Sequence, residues 1–270
     1  MEIAVSLRNM GPQSAPDLML AGARHADELG FDSVWITDHV AIPPDDAEGS
    51  GGRYTDPLTT LAWLAGATRR IKLGVGVLII PYRPALPTAK QIATVQELSD
   101  GRLLLGVAVG WMDAEFRALG VDRHQRGRIT DDTLAFINEC FAGDVVTRNG
   151  QAFIFSPRPE APPIYVGGSA PHALRRSLRF GHGWLPMVRD PAKLARDMDT
   201  FRQMAADAGT RPGPVTAMTS LQAGSIDALR QQAAAYEKLG VERLVCGVRY
   251  DSLDDYKRAL DLLASALIPG

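Results

Sequence analysis

An acid and an imidazole stand at the end of a short apolar run, Ser33-Val-Trp-Ile-Thr-Asp-His39, and they are the first residues of this chain that could do chemistry. An imidazole titrates close to neutral pH, so His39 can hold, donate or accept a proton under physiological conditions. The apolar residues before it predict a buried strand. In enzymes that alternate strands and helices the site lies at the carboxyl ends of the strands, which makes His39 the first candidate catalytic residue.

A second candidate site is the stretch Ile164-Tyr-Val-Gly-Gly-Ser-Ala-Pro171. A predicted strand ends at Gly167 and Gly168, and a predicted helix begins directly after Ser169. Glycines let the backbone approach an anion closely, and the first turn of a helix offers free N–H donors. The stretch therefore predicts a phosphate-binding turn. An ordinary strand–helix turn capped by Ser169 is the alternative that these residues leave open.

Glycines also mark two further predicted strands. Gly74 and Gly76 lie in the buried run Leu73–Pro81, which indicates a bulge or the close approach of a ligand. This run is not a dinucleotide-binding motif, because no helix follows the glycines directly. Another strand ends on Gly110 and Trp111, and Trp111 is either a platform for a flat ring or a core residue.

Strand-like and helix-like segments alternate along the whole chain, and they must position these candidates. Strands are predicted at 2–7, 33–37, 71–80, 102–109, 163–167, 183–187, 214–221 and 242–248. Helices are predicted at 16–29, 57–69, 84–99, 128–142, 171–181, 191–208, 226–239 and 253–265. The strands are continuous apolar runs, as is typical of parallel strands covered on both faces. The pattern predicts an α/β fold, a single (β/α)8 TIM barrel over residues 1–270, with a doubly wound sheet as the alternative.

The barrel would bring the ends of its strands together on one face. Three residues there are candidates for binding a substrate, namely Asn9, Tyr82 and Arg249. Loop insertions are predicted after strands 2 and 4, at 40–55 and 143–162, and the first, which follows His39, is predicted to be a lid. The sequence shows no carboxylate pair for glycoside hydrolysis, no nucleophile elbow and no P-loop.

Composition and charge exclude several classes of partner. The 270 residues carry a formal net charge of −2, which gives no electrostatic reason to bind nucleic acid or an anionic membrane. The five histidines and two cysteines show no metal-ligand spacing, so no metal is expected. The longest apolar run, 73–80, is too short to span a bilayer, and the first residues show no basic region, so no signal peptide is expected. We therefore expect a cytoplasmic protein with no nucleic-acid or membrane partner.

Five stretches together resemble one known family: residues 31–39, 56–74, 98–102 and 106–116, and the glycine pair before the helix predicted at 171–181. They are similar to the bacterial luciferase-like superfamily of flavin and deazaflavin oxidoreductases, and most similar to its branch that uses coenzyme F420. The resemblance covers nearly the whole chain.

The resemblance implies a (β/α)8 barrel that forms a homodimer, with the ring of the cofactor in the mouth of the barrel. It implies a non-prolyl cis peptide around Gly76 and Val77. It also places His39 beside the ring and the backbone of the 167–169 turn at the cofactor phosphate. The cofactor-binding residues are then expected to be His39, Gly76, Val77, Gly110, Trp111, Gly167, Gly168 and Ser169.

Two positions depart from relatives within this superfamily. Val109 stands where luciferases tend to carry an arginine, and Trp111 stands where the deazaflavin-dependent sugar-phosphate dehydrogenases carry a glutamate. The first departure favours deazaflavin over FMN, and the second argues against a sugar-phosphate substrate. The resemblance thus implies an F420-dependent oxidoreductase that transfers a hydride to or from an organic substrate. A monooxygenase that uses reduced FMN and oxygen, and a non-catalytic flavin-binding protein, are the alternatives.

Overall fold

A computed structural model describes residues 1–188, 190–221 and 225–268, and its centre is a barrel of parallel strands. The barrel strands are β1 (Glu2–Ser6), β2 (Ser33–Ile36), β3 (Lys72–Ile79), β4 (Leu103–Ala108), β7 (Ile164–Gly167), β8 (Gly183–Leu185), β9 (Thr216–Thr219) and β10 (Arg243–Cys246). They form one eight-stranded sheet in the order β8-β7-β4-β3-β2-β1-β10-β9. A parallel bridge between Trp184 and Val215 joins β8 to the start of β9 and nearly closes the ring. The predicted TIM barrel is confirmed.

Helices surround the barrel. They are α1 (Pro16–Glu28), α2 (Pro57–Ala67), α3 (Ala85–Leu98), α4 (Asp113–Ala118), α5 (Arg126–Ala142), α6 (His172–Phe180), α7 (Pro191–Asp207), α8 (Ile226–Leu239) and α9 (Leu253–Leu267). Local chemistry sets their ends: the Asp56 side chain accepts from the Thr59 N–H at the start of α2, and Gly240 takes a left-handed conformation after α8. The short helix α4 was not predicted. No helix in the described part of the chain is long and apolar enough to cross a membrane.

The interior of the barrel explains the glycines of β3. Trp35, buried inside the barrel, lies so close to this strand that a Cβ on residue 74 would come within 2.3 Å of its Cδ2 atom. A Cβ on residue 76 would meet the sulfur of Met218 at 2.7 Å. The pairing of β3 with β4 also shifts register between Val75 and Leu78, which is the predicted irregularity. Packing inside the barrel therefore requires glycine at both positions.

The two predicted insertions have different structures. Residues 143–162 contain an antiparallel hairpin made of β5 (Val145–Arg148) and β6 (Gln151–Ile154). Residues 40–55 form a loop with one short 3-10 turn, Pro44–Asp46. An antiparallel bridge between Met10 and Tyr54 ties the end of this loop to the segment after β1.

Candidate active site

A cavity of about 400 Å³ lies at the carboxyl ends of β2, β3, β4, β7 and β8. It brings together nine of the eleven residues predicted for the site: His39, Gly76, Val77, Tyr82, Gly110, Trp111, Gly167, Gly168 and Ser169. The side chain of Trp111 is 67% exposed at this cavity, so it is not a core residue. The barrel thus collects one continuous surface from segments spread over more than 130 positions of the chain.

His39 lies at this cavity, and one nitrogen of its imidazole is held by a neighbouring carboxylate. Its Nδ1 is 2.9 Å from Oε2 of Glu115, and its side chain is 19% exposed. The ring of Tyr54 lies 4.9 Å from the imidazole, centroid to centroid, and the ring of Trp111 lies 6.2 Å away. An imidazole fixed in this way keeps one nitrogen for a partner in the cavity.

Glu115 is a residue of the site that the sequence did not predict. It lies in α4, its side chain is completely buried, and its carboxylate accepts hydrogen bonds from the backbone N–H groups of Val40 (2.6 Å) and Ala41 (3.0 Å) and from the hydroxyl of Tyr82 (2.8 Å). Burial alone would raise the pKa of Glu115, but these bonds and the bond from His39 outweigh it and hold the pKa below its usual value. The site therefore has a buried carboxylate behind its histidine.

Tyr82 and Asp38 support the site through contacts behind the cavity surface. Burial and the bond to Glu115 raise the pKa of Tyr82 well above its usual range, so its hydroxyl stays protonated and donates. Asp38 is buried and accepts two bonds from the guanidinium of Arg83, at 2.7 and 2.8 Å, and one from the N–H of Ile79 at 2.8 Å. Asp38 is thus occupied in joining β2 to the end of β3.

The glycines let backbone line the cavity. A Cβ on residue 167 would lie 2.8 Å from Cγ1 of Val77, and one on residue 110, which has a φ of 79°, would lie 2.7 Å from Cγ2 of Ile79. The peptide bond between Gly76 and Val77 is cis, as the resemblance implied. A side chain at these positions would fill the cavity or displace its wall, so the space suits a flat group in contact with backbone.

The turn after β7 is held in place by hydrogen bonds to the carbonyls of Gly168 and Ser169. Ser169 is exposed and makes no side-chain cap to α6, which excludes the simple capping role. The indole N–H of Trp184 donates to the carbonyl of Gly168 at 2.9 Å and fixes the turn from below. The N–H of Ala173 in the first turn of α6 donates to the carbonyl of Ser169 at 3.1 Å, so the turn leads directly into the positive dipole end of the helix.

Two predicted substrate residues lie away from this cavity. Asn9 is completely buried; its amide donates to the carbonyls of Thr37 and Thr55, at 2.9 Å each, and accepts from the N–H of Thr37 at 3.0 Å. These bonds engage the side-chain amide of Asn9 in joining the ends of β1 and β2 to the 40–55 loop. We therefore no longer expect Asn9 to contact a substrate. Arg249 lines a neighbouring cavity of about 740 Å³ at the ends of β1, β9 and β10, which meets the first cavity at Thr37.

Comparison with protein families matches this architecture. The family model described as "Luciferase-like monooxygenase" covers residues 2–236, most of the barrel. The chain belongs to the luciferase-like monooxygenase family. It is an enzyme of this family of flavin- or F420-dependent oxidoreductases.

This luciferase-like protein is similar in sequence to F420-dependent enzymes, and its fold is similar to that of F420-bound and FMN-bound structures. An F420-dependent glucose-6-phosphate dehydrogenase of Nakamurella multipartita is 30% identical over 241 residues, which are 84% of this chain and 68% of the relative. An F420-dependent secondary alcohol dehydrogenase structure, with an F420–acetone adduct, superposes with a TM-score of 0.82 at 16% identity and covers 98% of both chains.

An FMN-bound Baeyer–Villiger monooxygenase from Pseudomonas putida superposes with a TM-score of 0.79 at 15% identity, over 99% of this chain and 98% of that one. At these identities the two structural matches establish the barrel fold alone.

Proposed function

We propose that this luciferase-like enzyme is an F420-dependent oxidoreductase that moves a hydride between the deazaflavin and a small organic substrate. One observation carries the proposal: His39, anchored on a buried carboxylate, lies at a glycine-lined cavity that suits a flat ring. The F420-dependent relative at 30% identity supports the choice of cofactor. Val109, which lines the cavity, supplies no cation for an FMN phosphate at that position.

The cavity fits the cofactor through backbone more than through side chains. Gly76, Val77, Gly110, Trp111 and His39 would hold the ring, and Gly167, Gly168 and Ser169 would hold its phosphate. When bound, the deazaflavin supplies a two-electron carrier that accepts or releases a hydride. The protein supplies orientation, a shielded surface and a group that exchanges protons.

His39 is proposed to be the catalytic residue that exchanges this proton. When a hydride leaves an alcohol carbon, the hydroxyl proton must also leave so that a neutral carbonyl forms. The imidazole nitrogen not bound to Glu115 accepts that proton, and in the reverse direction it returns the proton to the carbonyl oxygen. The pairing of an imidazole with a buried carboxylate supports this role.

The neighbouring cavity is proposed to receive the substrate. It is lined by Arg249 and by apolar or aromatic side chains that include Met10, Met218 and Tyr250, and it adjoins the first cavity at Thr37. Tyr82, whose hydroxyl is engaged by Glu115, would contact a substrate only through its ring. The homodimeric state and the cytoplasmic location stay predictions from the sequence.

Titration of the purified protein with coenzyme F420 and with FMN, followed by ligand fluorescence, tests the choice of cofactor. We expect F420 to bind at micromolar concentration or tighter and FMN to bind more weakly. Tight binding of FMN without binding of F420 would favour the reduced-FMN monooxygenase. Binding of either cofactor without turnover across a broad panel of alcohols and carbonyl compounds would favour a flavin-binding protein.

Replacement of His39 tests the catalytic assignment. We expect His39→Ala to lower kcat by about 10²- to 10⁴-fold with any substrate found, which is the usual contribution of a general acid–base. His25→Ala is the matched control, because His25 lies on α1 and contacts Asp261 at 2.7 Å, in the outer layer of the barrel. Unchanged turnover in His39→Ala would show that the role assigned here is wrong.

A further inference from the structure

We infer that Glu115 is a positioning residue that sets the tautomer of His39, so that the neutral imidazole carries its proton on Nδ1 and presents a bare Nε2. No feature of the sequence had assigned a role to Glu115. The assignment of the tautomer stands on contacts in the protein alone. Its consequence for the reaction rests on the proposed function.

The two oxygens of Glu115 have separate partners. Oε1 accepts from the backbone N–H groups of Val40 and Ala41, at 2.6 and 3.0 Å. Oε2 accepts from the hydroxyl of Tyr82 at 2.8 Å and lies 2.9 Å from Nδ1 of His39. A carboxylate offers about four lone-pair directions, so these four partners use its full capacity.

The carboxylate must be ionised in this arrangement, and this decides which group donates. Two of its partners are backbone N–H groups, which can only donate, and the hydrogen bonds together hold the pKa of Glu115 below its usual value despite burial. An ionised carboxylate only accepts. The short contact with His39 therefore requires a proton on Nδ1.

In the described part of the chain, the imidazole of His39 makes no hydrogen bond other than the one to Glu115. The imidazole is flanked by the rings of Tyr54 and Trp111, and the nearby carboxylate of Asp38 is engaged by Arg83 and by the N–H of Ile79. In the neutral imidazole one nitrogen donates and the other accepts. Nε2 is then the acceptor, which suits removal of a proton from a substrate hydroxyl.

Replacement of Glu115 by glutamine makes the inference testable, because the amide can enter the site in only one orientation. The N–H groups of Val40 and Ala41 cannot become acceptors, so the amide oxygen must take the place of Oε1. The NH₂ group then takes the place of Oε2 and donates toward Nδ1 of His39. In Glu115→Gln the proton of His39 must move to Nε2, and the bare acceptor is lost.

The tautomer is measured by ¹⁵N NMR of the imidazole in protein without cofactor, at a pH where His39 is neutral. We expect the Nδ1–H form in the native protein and the Nε2–H form in Glu115→Gln. Tyr82→Phe removes a donor but leaves the Glu115 carboxylate as an acceptor, so we expect the Nδ1–H form there. An Nε2–H tautomer in the native protein would overturn the inference. So would an unchanged tautomer in a folded Glu115→Gln.

Turnover provides the second readout. We expect Glu115→Gln to lower kcat by about 10²- to 10⁴-fold with a much smaller change in KM, because the tautomer of His39 affects the proton transfer. A merely structural role would not confine the loss to kcat. Glu139→Gln, the same change at an exposed position on α5, is the matched control. The NMR result needs no cofactor, so failure of the F420 titration would leave the tautomer assignment in place. If the native protein turns over with F420 but Glu115→Gln keeps the native tautomer, the inference about Glu115 is wrong and the proposed function still stands.

Discussion

Neighbouring strands leave no room for a side chain at some positions inside the barrel, and Gly106 of β4 is the clearest example. A Cβ on residue 106 would lie 2.3 Å from the carbonyl oxygen of Val75 and 3.0 Å from Cδ1 of Leu185. The first contact is with backbone, which cannot turn away as a side chain can. The close approach of β3 and β4 at their irregular register therefore excludes every larger residue at this position.

Gly106→Ala is expected to lower the free energy of unfolding by about 1–3 kcal/mol, because an added methyl group must push two strands apart. Gly66 near the end of α2 is the matched control, since a Cβ there meets nothing within 4 Å. Gly66→Ala is expected to raise the free energy of unfolding by about 0.5–1 kcal/mol, because alanine favours a helix. Denaturant titration measures both changes, and equal effects would contradict this account.

At the scale of elements, the loop at 40–55 is attached to the loop after β1 through Arg53. Its Nε donates to the hydroxyl of Ser14 at 2.8 Å, and its Nη2 donates to the Ser14 carbonyl at 3.2 Å. A backbone bond from Gly11 to the Arg53 carbonyl adds to this contact. The loop follows His39 directly, and its action as a lid stays a prediction from the sequence.

Arg53→Ala is expected to let this loop open more often while the barrel stays folded. The two side-chain bonds are lost but the backbone bond is kept, so we expect amide hydrogen exchange at residues 50–55 to become about tenfold faster. Arg128→Ala removes an exposed arginine that pairs with Asp132 on α5, and it should leave exchange in the loop unchanged. Mass spectrometry of exchanged peptides makes the comparison. Equal exchange in both variants would show that Arg53 does not hold the loop.

At the scale of the whole molecule, an ion pair at the amino-terminal end of the barrel connects strands that are far apart in sequence. Arg243 of β10 contacts Asp32 at 2.5 Å and the hydroxyl of Tyr165 on β7 at 3.1 Å. Lys72 of β3 donates to the other oxygen of Asp32 at 2.7 Å. Asp32 and Arg243 are nearly inaccessible to solvent. This cluster holds the barrel together on the face opposite the cavities.

The cluster makes stability depend on pH. Burial would raise the pKa of Asp32, but the bonds from Arg243, Lys72 and Ser33 outweigh it and lower the pKa below its usual value. The unfolded chain therefore binds the proton more readily than the folded one as the pH falls. The stabilisation from Asp32 is complete above the unfolded pKa, about 3.9, and is lost as the pH falls through the folded value.

Asp32→Asn is expected to lower the free energy of unfolding at pH 7 by about 3–5 kcal/mol, because it leaves the charge of Arg243 buried with a weaker partner. The difference between the native protein and the variant should shrink below about pH 4, because Asp32 then takes up a proton in the unfolded chain before it does so in the folded protein. Asp45→Asn, on the exposed turn of the 40–55 loop, controls for the change of charge. A difference that stays constant from pH 7 to pH 3 would contradict the assignment.

Local signals in the sequence were sufficient for the elements that are long and periodic. The pattern of Asp56-Pro57 placed the start of α2, and residues 226–239 were predicted with the bounds that α8 has. The six-residue helix α4 was missed because it is shorter than two turns and shows no apolar period. Glu115 was missed with it, since one acid between apolar residues does not reveal the partners that surround it.

The sequence by itself determined the barrel strands, the helices other than α4, and the positions of His39 and the glycine turns, because apolar periodicity, caps and turn residues act over a few neighbours. Only the tertiary structure decided which side chains meet. Closure of the barrel brings Glu115 to His39 across 76 positions and engages the amide of Asn9, and it places Arg249 in a second cavity. These contacts depend on register and distance between separate elements, which no local pattern encodes.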